Sequence, residues 1–137
     1  MKKQNKKEEY PLVEVMVMHH NNEKLIDDCL ASLKKTKYSN LKVTVIDNAS
    51  SDNSVKLVKK KYPWVNLIEN KENPSFAEGN NIMLRNSKAK YAILLNNDTE
   101  QDPYWISELV KVAEKEKNIG ALQPKVLFLR NKKMFEY

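Results

Sequence analysis

The sequence predicts an α/β fold with a mostly parallel sheet flanked by helices. Strand-like and helical patterns alternate along the chain, which is typical of repeated β-α-β units with right-handed crossovers. The predicted strands are five apolar runs, at residues 12–18, 41–47, 65–70, 91–96 and 119–129, the last interrupted near Pro124. Glu14 lies inside the first run, where a buried strand should be apolar, and nothing in the sequence explains it.

Helical patterns follow each of the first four predicted strands, beginning near residues 21, 51, 76 and 102. Ser51 or Asp52 can cap the second helix, and Pro63 ends it. The third helix begins near Phe76 and delivers the chain to the fourth strand. The fourth helix begins at Asp102 or Pro103. The order of these elements predicts the layers of the fold.

The length and composition indicate one globular domain, since 137 residues with 41% hydrophobic residues can bury a core. A single cysteine, Cys29, excludes an internal disulfide and a multi-cysteine zinc site. The opening "MKKQNKKEEYP" lacks the apolar run of a secretory signal, and no apolar segment approaches the roughly 20 residues of a membrane span. We therefore expect a cytoplasmic protein without a transmembrane segment, with peripheral attachment to the inner face of the membrane as an alternative.

The net charge of +6 is modest, and residues 2–9 supply four Lys against two Glu. We expect residues 1–11 to form a flexible basic arm and residues 12–137 to form the functional region. The remaining lysines recur on polar helix faces without interleaved aromatic residues. This pattern favours a solvated surface over a nucleic-acid interface.

Polar clusters follow four of the predicted strands: "HHNN" (19–22), "DNASSD" (47–52), "ENKENPSFAEGNN" (69–81) and "NND" (96–98). In open α/β sheets, ligands bind beyond the carboxyl ends of the strands. The alternative is four unrelated turns, because Asn and Asp favour turns in any protein. The coincidence of all four clusters at one edge favours a ligand site.

The ordered set of these clusters, together with "YAILLNNDTEQDPYWI" and "IGALQPKV", resembles the inverting family-two glycosyltransferases, especially their rhamnosyltransferase-like branch. The resemblance covers residues 12–137. It implies the GT-A type nucleotide-diphospho-sugar transferase fold. It also implies transfer of a sugar from an activated donor to an acceptor hydroxyl, with inversion.

In this resemblance, Asp98 matches the last acid of the family's metal-binding D-x-D element. A divalent cation, Mg²⁺ or Mn²⁺, takes oxygen ligands from the donor diphosphate and needs few protein ligands. Asn96 stands where the family often has the first acid, and an amide brings no charge. We therefore expect Asp98 to be the metal ligand and Asn96 and Asn97 to contact the nucleotide. The alternative for Asp98 is a turn aspartate.

The resemblance makes Asp47 the acceptor for the imide N–H of uracil or thymine, which favours a UDP- or dTDP-sugar; the alternative is an aspartate that starts a turn at "DNAS". It places His20 where the family has an aromatic residue that stacks on the base. Adjacent residues of an extended segment point to opposite sides, so His19 and His20 are not expected to share a metal. Asn80 or, as the alternative, Asn81 is expected to face the nucleotide.

The block "NPSFAEGNN" departs from the family pattern, because Ser75 replaces a glycine and Pro74 pushes Asn73 toward extended backbone. Ser75 can compensate by capping the third helix. Gly79 permits a close approach of that helix to its neighbours.

The resemblance also implies a second half that holds the acceptor, a glycan or lipid-linked sugar of a cell-surface polysaccharide, and the general base, expected beyond Tyr137. The chain is thus expected to be a truncated donor-binding half that transfers no sugar alone and self-associates through an open sheet edge. Glu100 and Asp102 are the acids near Asp98, and capping of a helix is expected for both; the alternative is that one of them substitutes as the base. The alternatives are a non-catalytic nucleotide-binding or assembly module on the same fold and a basic nucleic-acid-binding domain.

Overall fold

The computed structural model describes residues 10–129 and 131–135 and confirms the predicted sheet flanked by helices. Four parallel strands form the sheet in the order β3-β2-β1-β4, with bounds β1 Val13–His19, β2 Leu41–Asn48, β3 Asn66–Asn70 and β4 Tyr91–Asn96. The helices that alternate with them are α1 Glu23–Leu33, α2 Ser54–Lys61, α3 Phe76–Asn86 and α4 Trp105–Lys115.

The two faces of the sheet are covered unequally. Helices α1, α2 and α4 pack on one face against the alternating valines of β1 and β2, and Ile26, Leu30 and Ile106 are fully buried there. On the other face, Met16 and Ile46 contact Met83 of α3. Period-two alternation in the strands explains this division, because successive side chains point to opposite faces.

The predicted fifth strand at residues 119–129 is wrong in its extent. Residues 119–126 form no strand, and only β5, Leu127–Phe128, pairs antiparallel with β6, Asn131–Phe135, outside the main sheet. Pro124 has no backbone N–H to donate to a ladder, which explains why the run does not continue as a strand. The apolar residues of this run instead line a cavity of about 230 Å³ beside β4 and α4, with Ile119 and Leu122 in its wall.

Glu14, unexplained by the sequence, is 4% exposed and is bonded to three side chains. Its carboxylate accepts hydrogen bonds from the hydroxyls of Thr44 and Ser87, both at 2.7 Å, and pairs with the Lys42 ammonium at 2.9 Å. Burial by itself raises the pKa of Glu14, and the bonds from these three partners outweigh it, so the pKa lies below its ordinary value. The charge therefore ties β1 to β2 and to the end of α3.

Residues 1–9 of the predicted basic arm lie outside the described residues. Tyr10 stacks edge-on against Tyr38 with ring centroids 5.4 Å apart, and the Tyr38 hydroxyl donates to the Pro11 carbonyl at 2.7 Å. Within the described part of the chain, none of the helices has the length and apolar character needed to cross a membrane.

Candidate functional site

The switch in strand order lies between β1 and β4, because β2 and β3 follow β1 on one side of the sheet and β4 lies on the other. The register places His19 beside Asp47 on β2, and Met18 beside Asn96 on β4. The carboxyl ends of these three strands therefore meet at one edge. This is the position at which open α/β sheets bind their ligands.

The loops after β1 and β2 are held together by side chains of the two polar clusters. The Asn21 backbone N–H donates to Ser50 Oγ at 2.7 Å, and Asn21 Oδ1 accepts from the Ser51 backbone N–H at 2.9 Å. Asn21, Asn22 and Ala49 have φ values of 55°, 71° and 57°. Asparagine tolerates this left-handed region, but an alanine there is strained, and such strain clusters at functional sites. The sequence indicated nothing unusual at Ala49.

His20 is exposed at the edge of this loop pair, and both of its ring nitrogens are engaged. Nδ1 donates to the Asn48 carbonyl at 2.7 Å, and Nε2 lies 3.1 Å from Asn21 Nδ2, from which it accepts. These bonds lie in the ring plane, so they fix the ring without using its faces. The geometry suits a ring that stacks on a planar ligand.

Asp47 is 3% exposed at the end of β2, and its two oxygens differ. Oδ2 accepts from the Ser50 backbone N–H at 3.0 Å, so Asp47 does shape the turn. Oδ1 is buried and has no hydrogen-bond partner within the described part of the chain. One oxygen thus supports the turn, and the other remains an acceptor without a partner among the described residues.

Asn48, adjacent to Asp47, is a buried residue of this edge that the sequence analysis did not single out. Its side-chain oxygen accepts from Asn70 Nδ2 at 2.9 Å, which links the ends of β2 and β3. Because side chains alternate along a strand, Asn48 points to the opposite face of the sheet from Asp47.

Asn96 ends β4, Asn97 and Asp98 form the turn after it, and the exposure of the three residues alternates. Asn96 and Asp98 are exposed, whereas Asn97 is half-buried. The Asp98 carboxylate makes no hydrogen bond or ion pair with the rest of the described residues. The Asn96 carbonyl accepts from the Thr99 hydroxyl at 2.8 Å, which closes the turn. The structure therefore leaves one unpaired carboxylate at the switch point.

Asn97 points inward, toward a residue that the sequence analysis did not assign to the site. Its Nδ2 lies 2.8 Å from Nδ1 of His19, which is 2% exposed. Burial lowers the pKa of His19, and this outweighs the nearby charges of Asp47 and Asp52, which raise it. The imidazole is therefore held neutral. The sequence does not reveal this pair, because the pair depends on the register between β1 and β4.

The third polar cluster runs from the end of β3 into α3, and α3 lies on the face of the sheet opposite α1. Ser75 caps this helix by accepting from the Glu78 backbone N–H at 3.3 Å, as the sequence predicted. A Cβ on Gly79 would come within 2.8 Å of the Met18 methyl group, so glycine permits the close approach of α3 to β1. Asn80 is buried next to this contact, at 6% exposure.

The acids after Asp98 differ in their roles. Asp102 Oδ1 accepts from the Tyr104 backbone N–H at 2.8 Å and so supports the start of α4. Glu100 is exposed. Within residues 10–129 and 131–135, no group of three or more His, Cys, Asp or Glu side chains is arranged to hold a metal ion. A metal at this edge would have Asp98 as its protein carboxylate.

Comparisons with known proteins agree with this architecture. The chain is 32% identical over 118 residues to an uncharacterized glycosyltransferase of Haemophilus influenzae. The alignment covers 84% of this chain and 36% of that relative. It is 28% identical over 97 residues to a teichoic acid poly(glycerol phosphate) polymerase of Staphylococcus epidermidis, of which it covers 14%. The chain thus spans about a third or less of the length of these curated relatives.

Solved structures share the fold. The S. aureus TarS fragment 1–349 superposes with a TM-score of 0.69 at 20% identity over 86% of this chain and 40% of that one. A mannosyltransferase from Pyrobaculum calidifontis, solved with GDP-Man and Mn²⁺, gives 0.70 at 24% identity over 87% and 34%. These neighbours confirm the expected GT-A type fold.

A family model describes most of the chain. The model of glycosyl transferase family 2 matches residues 14–131, which include β1 apart from Val13, β2 to β4, α1 to α4 and the four polar clusters. Together with the shared fold and the polar edge at the switch point, this match shows that the chain belongs to glycosyl transferase family 2.

Proposed function

We propose that residues 12–137 bind the nucleotide-diphospho-sugar donor of an inverting glycosyltransferase, at the carboxyl ends of β1, β2 and β4. The observation that carries the proposal is the exposed, unpaired Asp98 carboxylate at the switch point, where the fold presents polar loops to a ligand. A carboxylate left without a partner at this position is available for a cation. A turn aspartate, in contrast, is normally engaged with its own backbone.

The residues present fit a divalent cation that takes most of its oxygen ligands from the substrate and from water. Mg²⁺ and Mn²⁺ are commonly held by one or two carboxylates together with phosphates and water. Asp98 would hold the cation, and bound there it would neutralise the charge of the leaving diphosphate. Asn96, also exposed, carries an amide that can hydrogen-bond a ribose hydroxyl or a metal-bound water. The solved Pyrobaculum calidifontis neighbour contains Mn²⁺, which supports this choice.

The donor nucleotide proposed is UDP or dTDP. The TarS fragment has been solved with UDP and with UDP-GlcNAc, whereas the Pyrobaculum calidifontis enzyme was solved with GDP-Man, so the fold accepts different bases. In this chain, Asp47 Oδ1 has no partner among the described residues and can accept a hydrogen bond from the imide N–H of uracil or thymine. His20 supplies a ring that can stack on the base. Asn80 is also part of the proposed set around the nucleotide. Asn97, whose Nδ2 is engaged with His19, is proposed to contact the nucleotide through its side-chain oxygen or its backbone.

We expect Asp47→Asn to weaken UDP or dTDP binding by roughly 10-fold or more, because one hydrogen bond to a charged acceptor is worth about 1.5–3 kcal/mol. Asparagine keeps one oxygen for the Ser50 N–H, so the turn should survive. Calorimetric titration with UDP, dTDP and GDP, each with and without Mn²⁺, measures the effect. The control is Asp28→Asn, which breaks an exposed pair with Lys24 on α1, outside the polar clusters, and should leave UDP affinity unchanged.

Two results would contradict the base assignment. The first is a preference of the unmodified chain for GDP over UDP and dTDP. The second is a UDP affinity in Asp47→Asn equal to that of the unmodified chain. Absence of binding to all three nucleotides in the unmodified chain would contradict the proposed donor site as a whole.

The proposal places the acceptor and the general base in the part of the relatives' length that this chain does not span. The proposal also includes membership of the rhamnosyltransferase-like branch and a cytoplasmic location. The proposed acceptor is a glycan or lipid-linked sugar of a cell-surface polysaccharide. The buried free thiol of Cys29 is consistent with a reducing compartment. A non-catalytic nucleotide-binding module on this fold would bind UDP in the same way and differ only in transferring no sugar in the complete protein.

We also propose that the chain self-associates along β4. In the described part of the chain, β4 pairs with β1 on one side and with no strand on the other, and Leu94 on it is 44% exposed. An unpaired strand edge with apolar side chains favours pairing with another chain. Sedimentation velocity should show a reversible dimer as concentration rises, and Leu94→Lys should weaken it about 10-fold or more. Val112→Lys, a matched change on α4 at 45% exposure, should not.

A further inference from the structure

His19 is a buried titratable residue at the switch point, and the proposed donor binding does not use it. Its Nδ1 lies 2.8 Å from Asn97 Nδ2. An amide NH₂ group can only donate, so Nδ1 accepts and the ring hydrogen is on Nε2. A protonated imidazole would carry a hydrogen on both nitrogens and break the bond. The contact therefore requires the neutral ring.

The neighbourhood of His19 favours this tautomer. His19 and Asp47 are paired in register on β1 and β2, and the buried atoms without a partner in the described part of the chain are His19 Nε2 and Asp47 Oδ1. The nearby Asp47 carboxylate stabilises a hydrogen on the ring, and the donor at Asn97 Nδ2 assigns that hydrogen to Nε2 and leaves Nδ1 as the acceptor.

The bond matters because of where Asn97 stands in the chain. Asn97 separates Asn96 and Asp98, and it is the half-buried residue between two exposed ones. Holding its side chain against β1 turns the side chains on either side of it outward, toward the ligand edge. Within the turn, Thr99 Oγ1 donates to the Asn96 carbonyl and Gln101 Nε2 donates to Thr99 Oγ1. Its other ties run to α1, where Cys29 Sγ donates to the Asn96 carbonyl at 3.9 Å and Ser32 Oγ donates to Gln101 Oε1 at 2.6 Å. The bond to His19 is the side-chain tie from the Asn97 amide itself to β1.

We propose that His19 is a positioning residue: by accepting from the Asn97 amide, it fixes the turn that presents Asp98. The effect of His19 on metal binding rests on the proposed function of Asp98 as the metal ligand. The ordering of the turn does not rest on that function, because the bond joins two side chains of the chain itself. His19 touches neither the donor nor the metal in this role.

Three variants distinguish the role of His19 as a hydrogen-bond acceptor from the role of its ring in packing. His19→Leu fills the buried space without an acceptor. His19→Asn places an amide oxygen near the position of Nδ1 and keeps the acceptor. Asn97→Leu removes the donor. Two measurements are made on each: amide hydrogen exchange at residues 97–99 of the nucleotide-free chain, and UDP affinity with Mn²⁺ and with EDTA. Thermal unfolding of each variant confirms that the fold is retained.

We expect exchange at residues 97–99 to be about 5-fold faster in His19→Leu and in Asn97→Leu, the loss of one hydrogen bond of about 1 kcal/mol. His19→Asn should restore most of the protection, which a general packing role would not predict. The gain in UDP affinity from Mn²⁺ should fall by a similar factor in His19→Leu, while affinity in EDTA changes by less than about 2-fold.

Unchanged exchange in His19→Leu, or equal exchange in His19→Asn and His19→Leu, would overturn the positioning role. If the unmodified chain gains no UDP affinity from Mn²⁺, the proposed metal function fails, and the exchange data still decide whether His19 orders the turn. If exchange responds as expected but the Mn²⁺ gain does not change in His19→Leu, the link from His19 to Asp98 is wrong.

Discussion

Asp98→Asn is expected to abolish the gain in UDP or dTDP affinity that Mn²⁺ produces. The substitution keeps the size of the side chain and removes its charge, and an amide is a poor ligand for a hard cation that prefers carboxylate and phosphate oxygens. Affinity measured with Mn²⁺ should fall to the value in EDTA, a loss of about 10-fold or more. Stability should change little, because the Asp98 carboxylate is exposed and has no partner among the described residues.

Glu100→Gln is the matched control for this experiment. Glu100 is an exposed acid two positions further along the same segment, so its removal lowers the local negative charge by the same amount. A purely electrostatic attraction of Mn²⁺ to the turn predicts equal effects of the two variants. Direct ligation predicts an effect of Asp98→Asn alone. A full Mn²⁺ gain in Asp98→Asn would show that the cation is held elsewhere.

Glu14→Gln is expected to lower the free energy of unfolding by about 2 kcal/mol, although Glu14 is remote from the polar loops. The substitution replaces a carboxylate that accepts from Thr44, Ser87 and Lys42 by a neutral amide, and hydrogen bonds to a charged group are about twice as strong as neutral ones. The Lys42 side chain is half-exposed, so solvent screening makes its share the smallest. Urea unfolding followed by circular dichroism measures the change.

The pH dependence gives an independent test of the same carboxylate. The pKa of Glu14 is lower in the folded chain than in the unfolded one, so folding favours its charged form. Its contribution is full above the ordinary Glu pKa of about 4.3 and is lost as the pH falls through the lower folded value. The difference between the unmodified chain and Glu14→Gln should therefore be full at pH 6 and shrink below about pH 4.

The control is Glu108→Gln, which breaks an exposed pair with Lys111 three residues away on α4. Such surface pairs contribute little, so the change should stay within about 0.5 kcal/mol. If Glu14→Gln is no more destabilised than Glu108→Gln, or if its deficit does not depend on pH, the buried network does not stabilise the sheet.

Short-range chemistry made much of the fold predictable. The capping of α3 by Ser75 and the close approach at Gly79 follow from the properties of single residues, and the structure shows both. The prediction of a strand over residues 119–129 was wrong in its extent, because apolar side chains that line a cavity give the same sequence pattern as a buried strand. Only the pairing partners of the backbone distinguish the two cases.

The sequence by itself determined the order of strands and helices, the placement of four polar clusters after strands, and, through the resemblance, the glycosyltransferase family. These properties depend on periodicity and on motifs that are contiguous in the chain. The tertiary structure alone decided which polar side chains meet. His19 bonds to Asn97, 78 positions away, and Glu14 to Ser87, 73 positions away, because the parallel register of β1, β2 and β4 and the docking of α3 bring them together. No local pattern encodes such distant pairs, since they depend on how the strands align and not on the identity of their neighbours in sequence.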